Sequence, residues 1–143
     1  MRRAVLDANI YVSAAISPDG PAGLIIERFT RGEFEVVVSP ATVDEIHRVL
    51  EYRKVKKAVR TGMDPEDWFS GLVLLADLVE NRVLPRTCDD AHDDKVLAAA
   101  IEGRADYVVT GDGPFLALSE VQGVRIVTPR AFLMLLQSEE REG

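Results

Sequence analysis

Residues 105–112 read Ala105-Asp106-Tyr107-Val108-Val109-Thr110-Gly111-Asp112. An unbroken apolar run ends in a small polar residue, a glycine and an acid. Strands that show water one face alternate polar and apolar residues; strands buried on both faces read as continuous apolar runs. The same pattern recurs in Arg3-Ala4-Val5-Leu6-Asp7, in Glu35-Val36-Val37-Val38-Ser39 and in Val124-Arg125-Ile126-Val127. Between these runs lie helix signals. Ser39-Pro40 pairs an N-cap with a first-turn proline, and Val43, Ile46, Val49 and Leu50 follow on one face of a helix expected to reach about Tyr52. Ala22 to Thr30 reads as a helix. Asp64-Pro65 opens another, with Trp68, Leu72, Leu75 and Val79 at helical spacing. Asp93-Asp94 opens a third, with Val96, Leu97, Ala100 and Ile101 as its apolar face and Gly103 as its expected C-terminal cap. Thr128-Pro129 starts the last, which carries Phe132, Leu133, Leu135 and Leu136. A further short strand is expected at Arg82 to Pro85. Alternating strands and helices predict an α/β fold: a three-layer α/β/α sandwich around a central, mainly parallel sheet.

The chain has 143 residues, a net charge of -7 and 47% hydrophobic residues, enough for one domain with its own core. The expected boundaries are 1–137 for that domain and 138–143 for a frayed acidic tail. No apolar stretch approaches the roughly 18 residues of a membrane span. The apolar run after Arg2-Arg3 is stopped by Asp7, too early for a signal peptide, so the expectation is a cytoplasmic protein. Cys88 is the single cysteine, which excludes an internal disulfide and a cysteine-based zinc site. Excess acid argues against general, charge-driven binding of nucleic acid.

In open sheets of this class, ligands bind beyond the carboxyl ends of the strands. Asp7 closes the first strand, Asp112 follows the third, Asp94 lies in a first helical turn, and Glu45 lies in the helix that leaves the second strand. Four acids distant in sequence thus converge on one sheet edge. Clustered carboxylates must share protons or bind cations. Oxygen donors without cysteine favour Mg²⁺ or Mn²⁺, a site suited to phosphodiester hydrolysis. Each acid has an ordinary reading by itself: Asp94 as a first-turn acid, Glu45 as a solvated helix residue, Asp112 as a turn residue. The ordered set distinguishes them.

At these residues the sequence resembles the PIN-domain family, and within it the VapC-like toxin components of toxin–antitoxin pairs. The matching segments are Val5-Leu6-Asp7-Ala8-Asn9-Ile10, Ser39-Pro40-Ala41-Thr42-Val43-Asp44-Glu45-Ile46, Asp90 to Ala100, and Ala105 to Asp112. The resemblance implies a metal-dependent ribonuclease whose catalytic and metal-binding acids are Asp7, Glu45, Asp94 and Asp112. Asn9 and Thr110 are implied as supporting residues, with Asp93 as a rival of Asp94. It also implies an RNA substrate, Mg²⁺ or Mn²⁺ as cofactor, a protein antitoxin as partner, and a homodimer.

Arg48, Arg53, Lys54, Lys56, Lys57 and Arg60 face only Glu51 in the segment 48–60. That segment reads either as a rim that grips RNA phosphates or as a solvated helix end. His47 and His92 read as surface residues and Trp68 as a core or dimer contact. The Trp68 to Val79 and Phe132 to Leu136 stretches read as surfaces for a second copy or an antitoxin. Three rivals remain. A receiver domain lacks its late lysine here, a haloacid-dehalogenase phosphatase would need Asp at position 9 instead of Asn9, and a non-catalytic binding module could share the fold.

Overall fold

In the computed structural model the described residues are 1–59, 62–82 and 90–142. Arg60, Cys88 and the expected strand beyond Arg82 fall wholly or mostly outside them. Among the described residues the sheet has six strands in the order β3-β2-β1-β4-β6-β5. These are β1 (Arg3–Leu6), β2 (Glu35–Val38), β3 (Asp77–Leu78), β4 (Tyr107–Val109), β5 (Glu120–Val121) and β6 (Val124–Val127). All their pairings are parallel except β5 with β6, and β1 lies between β2 and β4, with Leu6 opposite Val109. The apolar runs are buried as expected: Ala4, Val5 and Leu6, Val36 to Val38, and Val108 and Val109 are almost fully shielded from water.

Helices cover both faces: α1 (Ala8–Ile16), α2 (Pro21–Thr30), α3 (Pro40–Leu50), α4 (Arg53–Ala58), α5 (Pro65–Val73), α6 (Ala91–Glu102), α7 (Gly113–Leu116) and α8 (Pro129–Glu142). One core, containing Leu6, Phe34, Phe69 and Phe132, lies on one face of the sheet; a second, containing Val5, Leu97, Val108 and Phe115, lies on the other. Adjacent residues of one strand feed different cores, since successive side chains point to opposite faces.

The sheet overrides helical periodicity in one place. The helix expected across Trp68, Leu72, Leu75 and Val79 stops at Val73, and the chain turns to form β3 against β2, with Val37 opposite Asp77 and Val79 N donating to Val38 O at 2.8 Å. The open amide edge of β2 outcompetes two more helical turns. Leu74, Leu75 and Leu78 are left exposed there. Gly103 does end α6, but in an ordinary backbone conformation with φ -84°. A β-carbon at Gly103 would stand 2.4 Å from Val37 Cγ1, so what requires glycine is the close approach of α6 to β2.

Candidate metal centre

The carboxyl ends of β1 and β4 lie side by side because those strands pair in parallel. Asp7 follows β1 directly and serves as N-cap of α1; its Oδ1 accepts from Ala8 N at 2.7 Å. Its other oxygen, Oδ2, accepts from Thr110 Oγ1 at 2.7 Å. Asp7 is 3% exposed, so its carboxylate cannot swing to solvent. The strand-to-helix junction has no intervening loop, and Asp7 N donates to Val109 O at 3.0 Å. The two strands therefore fix both the backbone and the side chain of this acid.

Across from it stands the start of α6. Asp90 caps that helix, accepting from His92 N at 2.9 Å, which sets the first turn. His92 Nε2 donates to Asp7 Oδ1 at 2.8 Å, and His92 Nδ1 lies 3.9 Å from Glu45 Oε1. Asp93 is 5% exposed and faces the same space. Donor atoms of Asp7, His92 and Asp93 lie within 4.8 Å of one another, close enough to share one ion. Asp112 caps α7, with Oδ2 accepting from Phe115 N at 3.2 Å, and its own N–H donating to Thr110 Oγ1 at 3.1 Å.

The electrostatics follow from this crowding. Burial, and then repulsion from Asp90, Asp112 and Asp7, pushes the Asp93 carboxyl up to about 6. Burial also raises Asp7, but the hydrogen bonds from His92 and Thr110 outweigh it, so Asp7 lies below the usual carboxylate range. The bond to Asp7 raises His92 above an ordinary histidine against the opposing effect of burial. One buried acid thus has two hydrogen-bond donors, His92 and Thr110, to favour its charged form, and the other is held among acids. Such a set is relieved by added positive charge. Two carboxylates and an imidazole are donors that divalent cations of the Mg²⁺ to Mn²⁺ type accept, so the residues fit a metal of that class.

The residues expected from the sequence are distributed unevenly here. Asp7 lies in the cluster, and Thr110 bonds to it. Asp112 is near enough to repel Asp93, though outside the group of three. Glu45 lies behind His92, with Oε2 accepting from Arg48 Nη1 at 2.9 Å. Asp94, expected as the helix ligand, is not in the group; Asp93 is. Asp93 and Asp94 point about 100° apart around the helix, and it is Asp93, next to His92, whose carboxylate lies with Asp7. Asp93 stands three, four and seven residues before Val96, Leu97 and Ala100, all buried, and that spacing is the readable signal. His92 is a correction: it is partly buried and a direct partner of Asp7. His47 also packs inward, its ring 5.0 Å from Phe69. Asn9 is exposed and lines a cleft with Ser13, Gly111, Thr128 and Arg130.

Comparison with known proteins bears on the family and the fold. The family model described as PIN domain matches residues 3–113, which carry every residue of the cluster. The chain belongs to the PIN-domain family. Membership supports, coarsely, a hydrolase of the nuclease class that uses a divalent cation and acts on RNA. This PIN domain is 23% identical to the uncharacterized protein MJ1680 of Methanocaldococcus jannaschii, over 92% of this chain and 89% of that one. It shares its fold with the crystal structure of PAE2754 from Pyrobaculum aerophilum, at TM-score 0.62 and 13% identity, over 96% of this chain and 90% of that one. No helix among the described residues is long and apolar enough to cross a membrane.

Proposed function

We propose that the chain is a metal-dependent endoribonuclease, cleaving RNA at the cluster around Asp7 with Mg²⁺ or Mn²⁺. The observation that supports this best is a buried, oriented carboxylate, Asp7, within reach of a second acid whose charge the fold leaves unneutralised. Asp7 and Asp93 hold the cation, with Asp93 in the place expected for Asp94. Glu45 and Asp112 complete the pocket wall, and Thr110 fixes the Asp7 carboxylate. When bound, the cation makes water a better nucleophile and offsets the charge that grows on the scissile phosphate. Arg53, Lys54 and Lys57 are exposed along α4 and grip flanking phosphates, whereas Arg48 and Lys56 are already paired with Glu45 and Glu66. The resemblance supports a toxin role in the cytoplasm, with an antitoxin or a second copy covering Leu74, Leu75 and Leu78.

Cleavage of a labelled RNA in Mn²⁺ and in Mg²⁺, with EDTA as control, tests the activity. The wild type is expected to cut, and a folded Asp7→Asn protein to lose at least about 100-fold. Metal-independent binding without cleavage would instead identify a non-catalytic RNA-binding or scaffold module. Arrest of growth on expression, reversed by the product of an adjacent reading frame, tests the toxin role.

A further inference from the structure

The proposed function rests the cation on Asp7 and Asp93 and gives His92, the third member of the group, no role of its own. His92 has two nitrogens, and both face acids. Nε2 meets Asp7 Oδ1 at 2.8 Å. Nδ1 is buried, has no hydrogen-bond partner among the described residues, and points toward Glu45 Oε1 at 3.9 Å. Glu45 is held in turn by Arg48 at 2.9 Å through its other oxygen. A line of groups therefore runs from Arg48 through Glu45 and His92 to Asp7 and Thr110.

We infer that His92 is a nitrogen ligand of the divalent cation and that Glu45 is its positioning residue, not a ligand. The inference rests on the metal-site reading above. Two neighbouring ligand atoms at about 2.1 Å from a cation stand about 3.0 Å apart. Nε2 and Asp7 Oδ1 need to part by only a few tenths of an ångström to reach that spacing. A cation at Nε2 would leave the ring with one proton, on Nδ1 toward Glu45; a neutral ring moves its proton there from Nε2, and an imidazolium releases its second proton to solvent. A histidine that binds metal through one nitrogen ordinarily donates the other N–H to a carboxylate, and Glu45 stands where that carboxylate belongs. The same arrangement explains why Glu45 lies outside the three-residue group while remaining near it. A mixed nitrogen and oxygen set favours Mn²⁺ over Mg²⁺ more strongly than oxygen alone.

Pulsed electron paramagnetic resonance of the Mn²⁺-loaded chain tests this without any turnover. A nitrogen coupling is expected in the wild type, shifted by ¹⁵N-histidine labelling and absent in His92→Gln. By calorimetry His92→Gln should lose about tenfold or more in Mn²⁺ affinity and less than about threefold for Mg²⁺. Glu45→Gln should keep the nitrogen coupling yet bind Mn²⁺ about 10-fold to 100-fold more weakly. Bound Mn²⁺ without nitrogen coupling in the wild type would overturn the ligand role and leave the carboxylate site standing. So would unchanged or tighter Mn²⁺ binding by His92→Gln, which would make the imidazole a competitor for Asp7. Failure of the wild type to bind Mn²⁺ at all would overturn the metal reading itself.

Discussion

Both ends of β1 gather acids, and they treat them in opposite ways. At its start Arg3 Nη1 bonds Glu35 at 2.6 Å, Nη2 bonds Asp77 at 2.7 Å, and Nε donates to Gly103 O at 2.9 Å, while Arg3 N donates to Asp106 Oδ2 at 3.0 Å. Neighbouring strands β2 and β3 deliver the first two acids to the fork of one guanidinium, whose planar donors suit two carboxylates at once. At the other end Asp7, Glu45 and Asp93 face a single histidine and Asp112 stands near Asp93, with Asp7 and Asp93 buried and Asp93 raised to about 6. The Arg3 end is closed by the fold's own charge. The Asp7 end is incomplete by the same standard. Acid clusters therefore become informative only when the cations around them are counted; an acid cluster that already holds its arginine has no need of an ion.

The largest effect is expected when acids at the open end are removed one at a time. Asp93→Asn should cost at least about 100-fold in RNA cleavage, whereas Asp94→Asn should stay within about threefold. The reverse order in a single-turnover assay would restore Asp94 as the ligand. Because the Asp93 carboxylate is disfavoured in the fold, Asp93→Asn should also melt at a higher temperature than the wild type at pH 7.5 without metal.

The next effect is on pH. Asp93 titrates higher in the fold than when unfolded, so its charged form costs stability, fully above pH 6 and progressively less as pH falls toward 4. His92 is also raised, so its contribution is present below its unfolded value and is lost as pH rises through its folded one. Asp7 is lowered, and its contribution fades only below the usual carboxylate range. Metal-free protein should therefore be more stable at pH 5.5 than at pH 7.5. Mn²⁺ should raise the melting temperature at pH 7.5 and do so far less at pH 5, where Asp93 holds a proton. A metal-induced shift equal at both pH values would remove Asp93 from the site.

Disruption of the closed end should look different. Arg3→Met should lower stability by about 1–2 kcal/mol in denaturant unfolding and leave Mn²⁺ affinity unchanged. Altered Mn²⁺ binding in that variant would mean that the two ends communicate along β1. Smallest of all, Lys54→Ala with Lys57→Ala should weaken RNA binding only severalfold. The salt slope should become shallower by about 1 for each phosphate no longer neutralised. An unchanged slope would make α4 a merely solvated helix.

Much of this architecture is legible in the sequence, for identifiable reasons. The buried strands β1, β2, β4 and β6 announce themselves because continuous apolar runs have no other good home. Asp7 and Thr110 are legible because each closes such a run. The two-residue strand β3 is not, since its residues, Asp77 and Leu78, are exposed and its existence depends on the free edge of β2. The helix α1 escapes notice because six of residues 10–16 are apolar, which blurs the stripe that Asn9, Ser13 and Ile16 expose along one face; its signal is the cap, Asp7. The choice between Asp93 and Asp94 turns on a rotation of one residue about a helix axis, which apolar spacing can resolve. The role of His92 depends on its bond to Asp7, 85 residues away in the chain and set by how α6 docks on the sheet, and no local pattern encodes that.

The caps carry a further consequence. Asp7, Asp90 and Asp112 each hold an amide in the first turn of a helix, respectively α1, α6 and α7. On the proposed function, selection acts on Asp7 and Asp112 twice, once through chemistry and once through the backbone. A descendant that no longer cut RNA would still lose stability by discarding Asp7 or Asp112, but would gain it by discarding Asp93. Among relatives, position 93 is accordingly where loss of activity should first leave its trace.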